Sequence, residues 1–490
     1  MIKELIEQNI YALLNPVAVL VAGVIISLLF TRLLPPAEFG VFTTLLAFSV
    51  LFAGLSDLGV QNTLIKMAGG SFHSKDGHAG FYVRYLLKWK LAALAVISLP
   101  LLAFPREFAQ IFLHNGDFAY IMQAAALLAI LYSICQFVTF LFIATGRFEY
   151  QSLISFVLNG SKVLFPLVII YLFGPNLFLI TLGVLASFLF GAFVSLAIFK
   201  VRFKGDMRSS PPKNLAPANS FLFYSTIIAL SSYLLLNLDS LLLNYFRGPE
   251  ELAFFRVSNS IIQLIILLLP LSSTFLLSVL VKMEARKETE LQKKLLDRSI
   301  KYGLLIAIPI SFLIFLTSNR IILFLWPVTY LPAARSLMIL SIMIPFMSIC
   351  SIYSSLLMSK GKMRELTLIM FSTYLLTWLA GAYLVSSYGL SGTAVTFVLS
   401  NIFQFVLLIR YSLRMLKMSL NPMHIIKPLL ASLITAALII FLNQTVSNTV
   451  LLFLVSGAFF CVIYLPLLDA DDKKLANALL SFVKLGPIFR

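Results

Sequence analysis

Charge, cysteine and histidine are scarce in this 490-residue chain. Charged residues make up 12% of it and Asp plus Glu number 20, against about 25% charged residues in an ordinary soluble domain. The three cysteines, Cys135, Cys350 and Cys461, all fall inside apolar runs, which argues against a disulfide framework or a thiolate metal site. The four histidines are scattered over loops and offer no ligand cluster. There is no Gly-x-x-x-x-Gly-Lys-Ser/Thr phosphate loop, so no ATPase activity of its own is expected. No Ser/His/Asp set is recognisable, and no metal or cofactor is expected.

What the chain has is apolar length. It is 60% hydrophobic, with a mean hydropathy of +0.97. A hydrocarbon core about 30 Å thick takes roughly 20 apolar residues per helical crossing. Fourteen segments qualify, approximately 11–34, 38–65, 82–104, 118–144, 148–173, 176–199, 219–246, 251–281, 300–317, 333–358, 366–387, 390–409, 427–443 and 448–468. The first lacks a small-residue cleavage site and reads as a retained span. The expected fold is an all-α polytopic membrane protein.

The net charge of +17 has a direction. With the amino terminus placed in the cytoplasm, 30 of the 37 basic residues fall in every second gap, on the cytoplasmic side. Five lie in the outer loops (Arg32, Arg106, Arg247, Arg320, Arg335), and Lys162 and Arg256 lie within spans. Such asymmetry is the positive-inside pattern, with both termini cytoplasmic. It is a topology signal, and nucleic acid is not expected as a partner.

The sequence also repeats itself. Pro36–Phe42 returns loosened as Pro249–Phe255, Ser133-Ile134-Cys135 as Ser348-Ile349-Cys350, Gly146-Arg147 as Gly361-Lys362, and Phe173-Gly174 as Tyr388-Gly389. The offset is 213 in the first match and 215 in the others, equal to six helices. An even number preserves orientation, so two parallel six-helix repeats are expected, plus two extra C-terminal helices. The divisions read as 1–199 (N-terminal lobe, helices 1–6), 200–218 (cytoplasmic linker with Pro211-Pro212 and Pro217), 219–415 (C-terminal lobe, helices 7–12), 416–468 (helices 13–14) and 469–490 (cytoplasmic amphipathic tail).

Ionisable groups inside spans cost roughly 2.5–3.5 kcal/mol each at the bilayer centre and by default face a cavity. Lys162 on helix 5 and Arg256 on helix 8 supply one cation per repeat, a pattern that points to transport of an anion. Snorkelling or local pairing is the plainer explanation for each. Asp239 and Arg256 lie about equally far from the Arg247-Gly248-Pro249 turn, roughly 12 Å inward at 1.5 Å per residue. They are placed to form an ion pair, either a static bridge or a site where proton or sodium at Asp239 exchanges against an anion at Arg256. Asn259 and Gln263 follow Arg256 on one helical stripe, and Asn159 stands beside Lys162; such amides suit sugar hydroxyls or interhelical hydrogen bonds.

Thr31-Arg32-Leu33-Leu34-Pro35-Pro36-Ala37-Glu38-Phe39-Gly40-Val41-Phe42, followed by Asp57-Leu58-Gly59-Val60, resembles the opening helices of the polysaccharide transporter family. These are the O-antigen-type lipid-linked oligosaccharide flippases of the multidrug/oligosaccharidyl-lipid/polysaccharide exporter superfamily. The Asp239 helix, the Pro249–Phe255 turn, Pro270 and Gly389-Leu390-Ser391-Gly392-Thr393-Ala394 fit its second half. Phe254-Phe255 stand where members often have Tyr, and Pro35 where Gly is common. The resemblance implies two lobes rocking around a cationic cavity, and passage of an isoprenoid-pyrophosphate-linked glycan from the cytoplasmic to the outer leaflet of the cytoplasmic membrane. It carries Arg32 and Arg256 over as cationic positions. Expected partners are the lipid-linked oligosaccharide and membrane lipids, with a polysaccharide polymerase or glycan-assembly proteins as further candidates.

Three other readings compete. A cation-coupled multidrug exporter of the same superfamily would favour acidic cavity groups, and here two cations stand against one acid. A membrane glycosyltransferase or polymerase would want paired acids or a large outer loop, and the outer loops are short. A non-transporting assembly scaffold would need none of the intramembrane charges.

Overall fold

In hydrocarbon a backbone N–H or carbonyl has no water to bond, so each apolar run closes its hydrogen bonds internally and becomes a helix. The computed structural model of the chain describes residues 2–74, 78–203, 211–212, 214–268, 276–277, 279–280, 283–284, 287–416, 421–445 and 448–464, with side chains from Ala18 onward in the first stretch. Among these there is no strand. The principal helices are α1 (Ile2–Leu33), α2 (Pro36–Leu55), α3 (Ala79–Ala103), α4 (Ala119–Ala144), α5 (Phe148–Phe173), α6 (Leu177–Arg202), α7 (Ala216–Leu236), α8 (Pro249–Leu268), α9 (Thr289–Leu325) and α10 (Ile344–Ser359). Met363–Leu416 holds α11 and α12, which part at Gly389 (φ 53°, ψ −127°). Then come α13 (Met423–Thr445) and α14 (Thr449–Tyr464). Eight helical stretches are by themselves long and apolar enough to cross a membrane, and Ala333–Ser341 with α10 adds a ninth as a bent pair. The expected spans thus recur in order, and the chain is an all-α, multi-pass membrane protein. The tail 469–490, Pro270 and residues 204–210 and 213 of the linker lie outside the described residues.

The duplication is visible in the backbone. At the end of α4, Gly146 (φ 72°) follows the helix and Arg147 N–H donates to Phe142 O at 2.9 Å. At the end of α10, Gly361 (φ 69°) does the same, and Lys362 N–H donates to Leu357 O, also at 2.9 Å. Both are the six-to-one bond of a Schellman stop, which needs a left-handed residue that glycine supplies without a Cβ clash. The matched Gly146 and Gly361, 215 positions apart, thus end their helices in the same way.

The helices pack into two compact units. The first comprises Met1–Leu264, Trp326–Ser336 and Tyr374–Thr396. Its inner helix is α2, two-thirds buried, while α3 and α5 are only one-third buried and turn Val96, Leu99, Phe156 and Tyr171 outward. The second comprises Ile265–Leu325, Leu337–Thr373 and the described residues of Phe397–Arg490. Its core joins Leu296, Ile300, Leu304 and Ile308 of α9 with Ile352, Tyr353 and Leu356 of α10 and Leu408 of α12.

Two helices of the first unit are broken. The span expected at 38–65 stops at Leu55, turns through Ser56–Gly59, and resumes as Val60–Thr63, a π-helical turn Leu64–Ala68 and Gly69–Ser74. Helix α7 breaks at Asn237 (φ −115°, ψ 16°) before continuing as Leu238–Arg247. Broken helices expose unsatisfied backbone dipoles at membrane depth, a device tolerated where protein or a cavity surrounds it.

Candidate functional site

Asp239 stands in the first turn of Leu238–Arg247, where a carboxylate faces the positive end of the helix dipole. Arg256 Nη2 approaches Asp239 at 3.3 Å and also donates to the Ser240 hydroxyl. The equal depth read from the turn thus becomes contact. The two partners differ in access: Asp239 is 3% exposed, Arg256 28%. The carboxylate is covered and the guanidinium is not, so part of the Arg256 fork remains available to another anion.

The space that reaches Arg256 is a cavity of about 360 Å³. Its walls come from α1 (Val19 to Ser27), α2 (Phe39 to Val50), Asn237 at the break of α7, and α8. On α8 the lining residues are Arg256, Asn259, Ser260 and Gln263, so the polar stripe expected from the sequence does face one space. Opposite it the wall is apolar, with Ser27 and Thr43 as the polar exceptions. Ser27 accepts a hydrogen bond from Trp326 Nε1 at 3.2 Å. The cavity can therefore hold an anionic, hydroxyl-bearing group on one face and an apolar body on the other.

The α7–α8 hairpin carrying the pair is fixed by helix ends. Arg247 donates to the carbonyls of Ser386 (2.7 Å) and Ser387 (3.0 Å) at the end of α11, and Glu251 accepts the Leu390 N–H (2.6 Å) that opens α12. A cation on a C-terminus and a carboxylate on an N-terminus both suit the helix dipole. A Cβ at Gly40 of α2 would fall 1.8 Å from the Pro249 carbonyl oxygen, so only glycine lets α2 approach the hairpin this closely. Nearby, Asn244 donates to Thr44 at 2.9 Å.

Lys162 and Asn159 are not in this cavity. The Lys162 ammonium lies 3.3 Å from the Asn159 amide oxygen, 4.8 Å from the Phe188 ring centroid and 5.5 Å from that of Tyr132. Asn159 is itself tied to Ser155 O at 2.8 Å. Lys162 does not line the cavity that Arg256 lines; residues of α4, α5 and α6 surround this cation with neutral partners and aromatic faces. Arg32 is exposed in the last turn of α1 and does not line the cavity either.

Sequence reasoning missed a second charge pair. Lys90, assigned to a cytoplasmic gap, lies within α3 and donates to Asp57 at 2.9 Å, both side chains being 3% exposed. Asp57 sits in the break after α2 and also accepts the Gln61 N–H at 3.3 Å. The signal was present: Asp57 is an acid inside an apolar run, and such a residue needs a partner.

Comparison with known proteins identifies the architecture. A solved structure of the lipid II flippase MurJ in an inward closed conformation superposes with a TM-score of 0.74 over 94% of this chain and 97% of that one, at 15% identity. An inward-facing multidrug resistance MATE family transporter of the MOP superfamily gives 0.64 over 84% and 95%, at 16% identity. The chain thus has the fold of a MOP-superfamily membrane transporter. A relative from Methanocaldococcus jannaschii, an uncharacterized membrane protein, is 23% identical over 93% of this chain and 92% of its own length. The family model described as polysaccharide biosynthesis protein matches residues 7–277, more than half of the chain, and the chain belongs to that family. The MatE family model matches residues 225–384.

Proposed function

We propose that the protein is a flippase that moves an isoprenoid-pyrophosphate-linked oligosaccharide from the cytoplasmic to the outer leaflet of the cytoplasmic membrane, with both termini in the cytoplasm. A glycan cannot cross hydrocarbon unaided, because its hydroxyls would lose their bonds to water. Family membership and the flippase-like fold support this cargo class. The observation that carries it is Arg256: a cation paired on one side with Asp239, open on the other, and followed by two amides along one cavity wall. A pyrophosphate oxygen would take the open face of the guanidinium, and Asn259 and Gln263 would bond sugar hydroxyls.

Ion coupling follows from the same pair. When phosphate draws Arg256 away, Asp239 is left as a buried carboxylate without its cation, an arrangement that is strongly unfavourable. Uptake of a proton or sodium ion would neutralise it, and release would return Arg256 and expel the cargo. A multidrug exporter is the second reading, favoured by the MATE-like fold and the MatE match. It fits less well because the accessible charge in the cavity is positive. Reconstituted vesicles separate the two: lipid-linked oligosaccharide should flip and a cationic dye should not. Dye export without glycan flipping would reverse the assignment.

A further inference from the structure

The break in α2 is gripped from two sides. Leu58 (φ 43°) and Gly59 (φ 69°) are consecutive left-handed residues, and for leucine that conformation is strained and persists only where its surroundings enforce it. On one side stands the Asp57–Lys90 pair, buried against α3. On the other stands α7, whose Thr226 hydroxyl shares its one proton between the Leu58 carbonyl at 2.7 Å and the Leu222 carbonyl of its own helix at 2.8 Å. The fit there is tight: a Cβ on Gly59 would lie 2.6 Å from the backbone of Ser225 and Thr226, and one on Gly54 would lie 2.2 Å from the Tyr233 ring. Just beyond, the π-helical turn Leu64–Ala68 is a second irregularity of a kind common where helices must move.

The two grips differ in kind. Asp57–Lys90 joins helices of one sequence repeat and is a desolvated ion pair, costly to separate. The α7 grip joins the first repeat to the first helix of the second through contacts other than ion pairs: the Thr226 bond, the Tyr85 hydroxyl donating to Asn219 at 2.8 Å, Lys66 at 4.0 Å over the Phe221 ring, and close packing. If one of them parts during the transport cycle, it is the second. We propose that the Leu58-Gly59 break is the cytoplasmic-side latch of the transporter: seated under Thr226 it closes the path between α2 and α7, and it opens when α7 lifts off while Asp57–Lys90 holds as the pivot. Freed of Thr226, Leu58 can relax from its left-handed conformation, so the strain held in the seated break eases its opening.

The latch rests on alternating access and not on the identity of the cargo, so its test uses no cargo. In a background with Cys135, Cys350 and Cys461 replaced by alanine, Val50→Cys on the cavity wall reports access to a membrane-impermeant maleimide added from either face of oriented vesicles. Thr226→Val should raise labelling from the cytoplasmic face about fivefold, the value of one hydrogen bond near 1 kcal/mol, and Thr226→Ser should restore the parent rate. Gly59→Ala should act in the same direction through the steric clash. An unchanged rate in Thr226→Val, or an equal rise from both faces, overturns the proposal, the latter because it marks general loosening. Should Gly59→Ala fail to fold, the Thr226 pair still decides.

Discussion

Two aspartates of the first unit, Asp57 and Asp239, each lie beside a helix break and bond to a basic side chain from another helix, yet the two pairs differ in access. Asp57–Lys90 is closed, with 3% exposure on both partners. Asp239–Arg256 is closed on the acid and open on the base, which reaches a cavity of about 360 Å³. Both charges of the first pair are covered, and Asp57 is held further by the Gln61 N–H at 3.3 Å, which suits a fixed joint. The second can exchange its cation's partner without exposing the carboxylate to bulk water. On the proposed function, access on one side, more than the ion pair itself, separates the structural bridge from the transport site.

The largest effect expected from breaking this comparison is on stability. Asp57→Ala or Lys90→Ala leaves a buried charge unpaired and should cost about 3–5 kcal/mol, whereas joint replacement by Leu and Met should recover most of it. Thermal unfolding of purified protein reads this; single variants as stable as the parent would remove the joint. Arg256→Ala leaves the covered Asp239 without its cation and should also cost stability; at matched folded content it should lower flipping roughly 10- to 100-fold, the value of a charged hydrogen bond of about 1.5–3 kcal/mol. Arg256→Lys should restore only part, since a point charge lacks the planar fork. Asp239→Asn should lose the dependence of transport on its coupling ion; retention of full ion dependence would end the coupling scheme. Asn259→Ala and Gln263→Ala should each weaken cargo affinity by about fivefold, one neutral hydrogen bond apiece, read in competition binding.

The smallest effect concerns a surface pair in the second unit. The Lys360 ammonium, bonded to Glu284, holds that carboxyl below the usual glutamate range. A depressed carboxylate adds stability at neutral pH, and the gain is lost as pH falls from the ordinary glutamate range through the lowered native value. Glu284 is 38% exposed, so screening limits the gain to about a few tenths of a kcal/mol. Glu284→Gln should flatten the acid limb of the unfolding-temperature profile slightly, and the difference should vanish in high salt.

How much of this was legible depended on the range over which each contact is determined. The spans follow from local hydropathy. The duplicated stops at Gly146 and Gly361 follow from a glycine and its neighbours, a four-to-six-residue motif. Asp239 and Arg256 could be matched in depth because two helices joined by a tight turn have a fixed register. Asp57 and Lys90 could not, since their contact depends on how α3 packs back beside the α2 break. Lys162 shows a different limit. Periodicity gives the face of a helix but not what that face meets, and here it meets Tyr132 and Phe188 within the α4–α6 packing.

The most direct measurement is flipping of an isoprenoid-pyrophosphate-linked oligosaccharide in vesicles reconstituted with the parent protein or with Arg256→Ala at matched folded content. The account predicts robust flipping by the parent and a loss of roughly tenfold or more in the variant. Equal rates in the two preparations would contradict it, because the exposed guanidinium would then contribute nothing to carrying the headgroup.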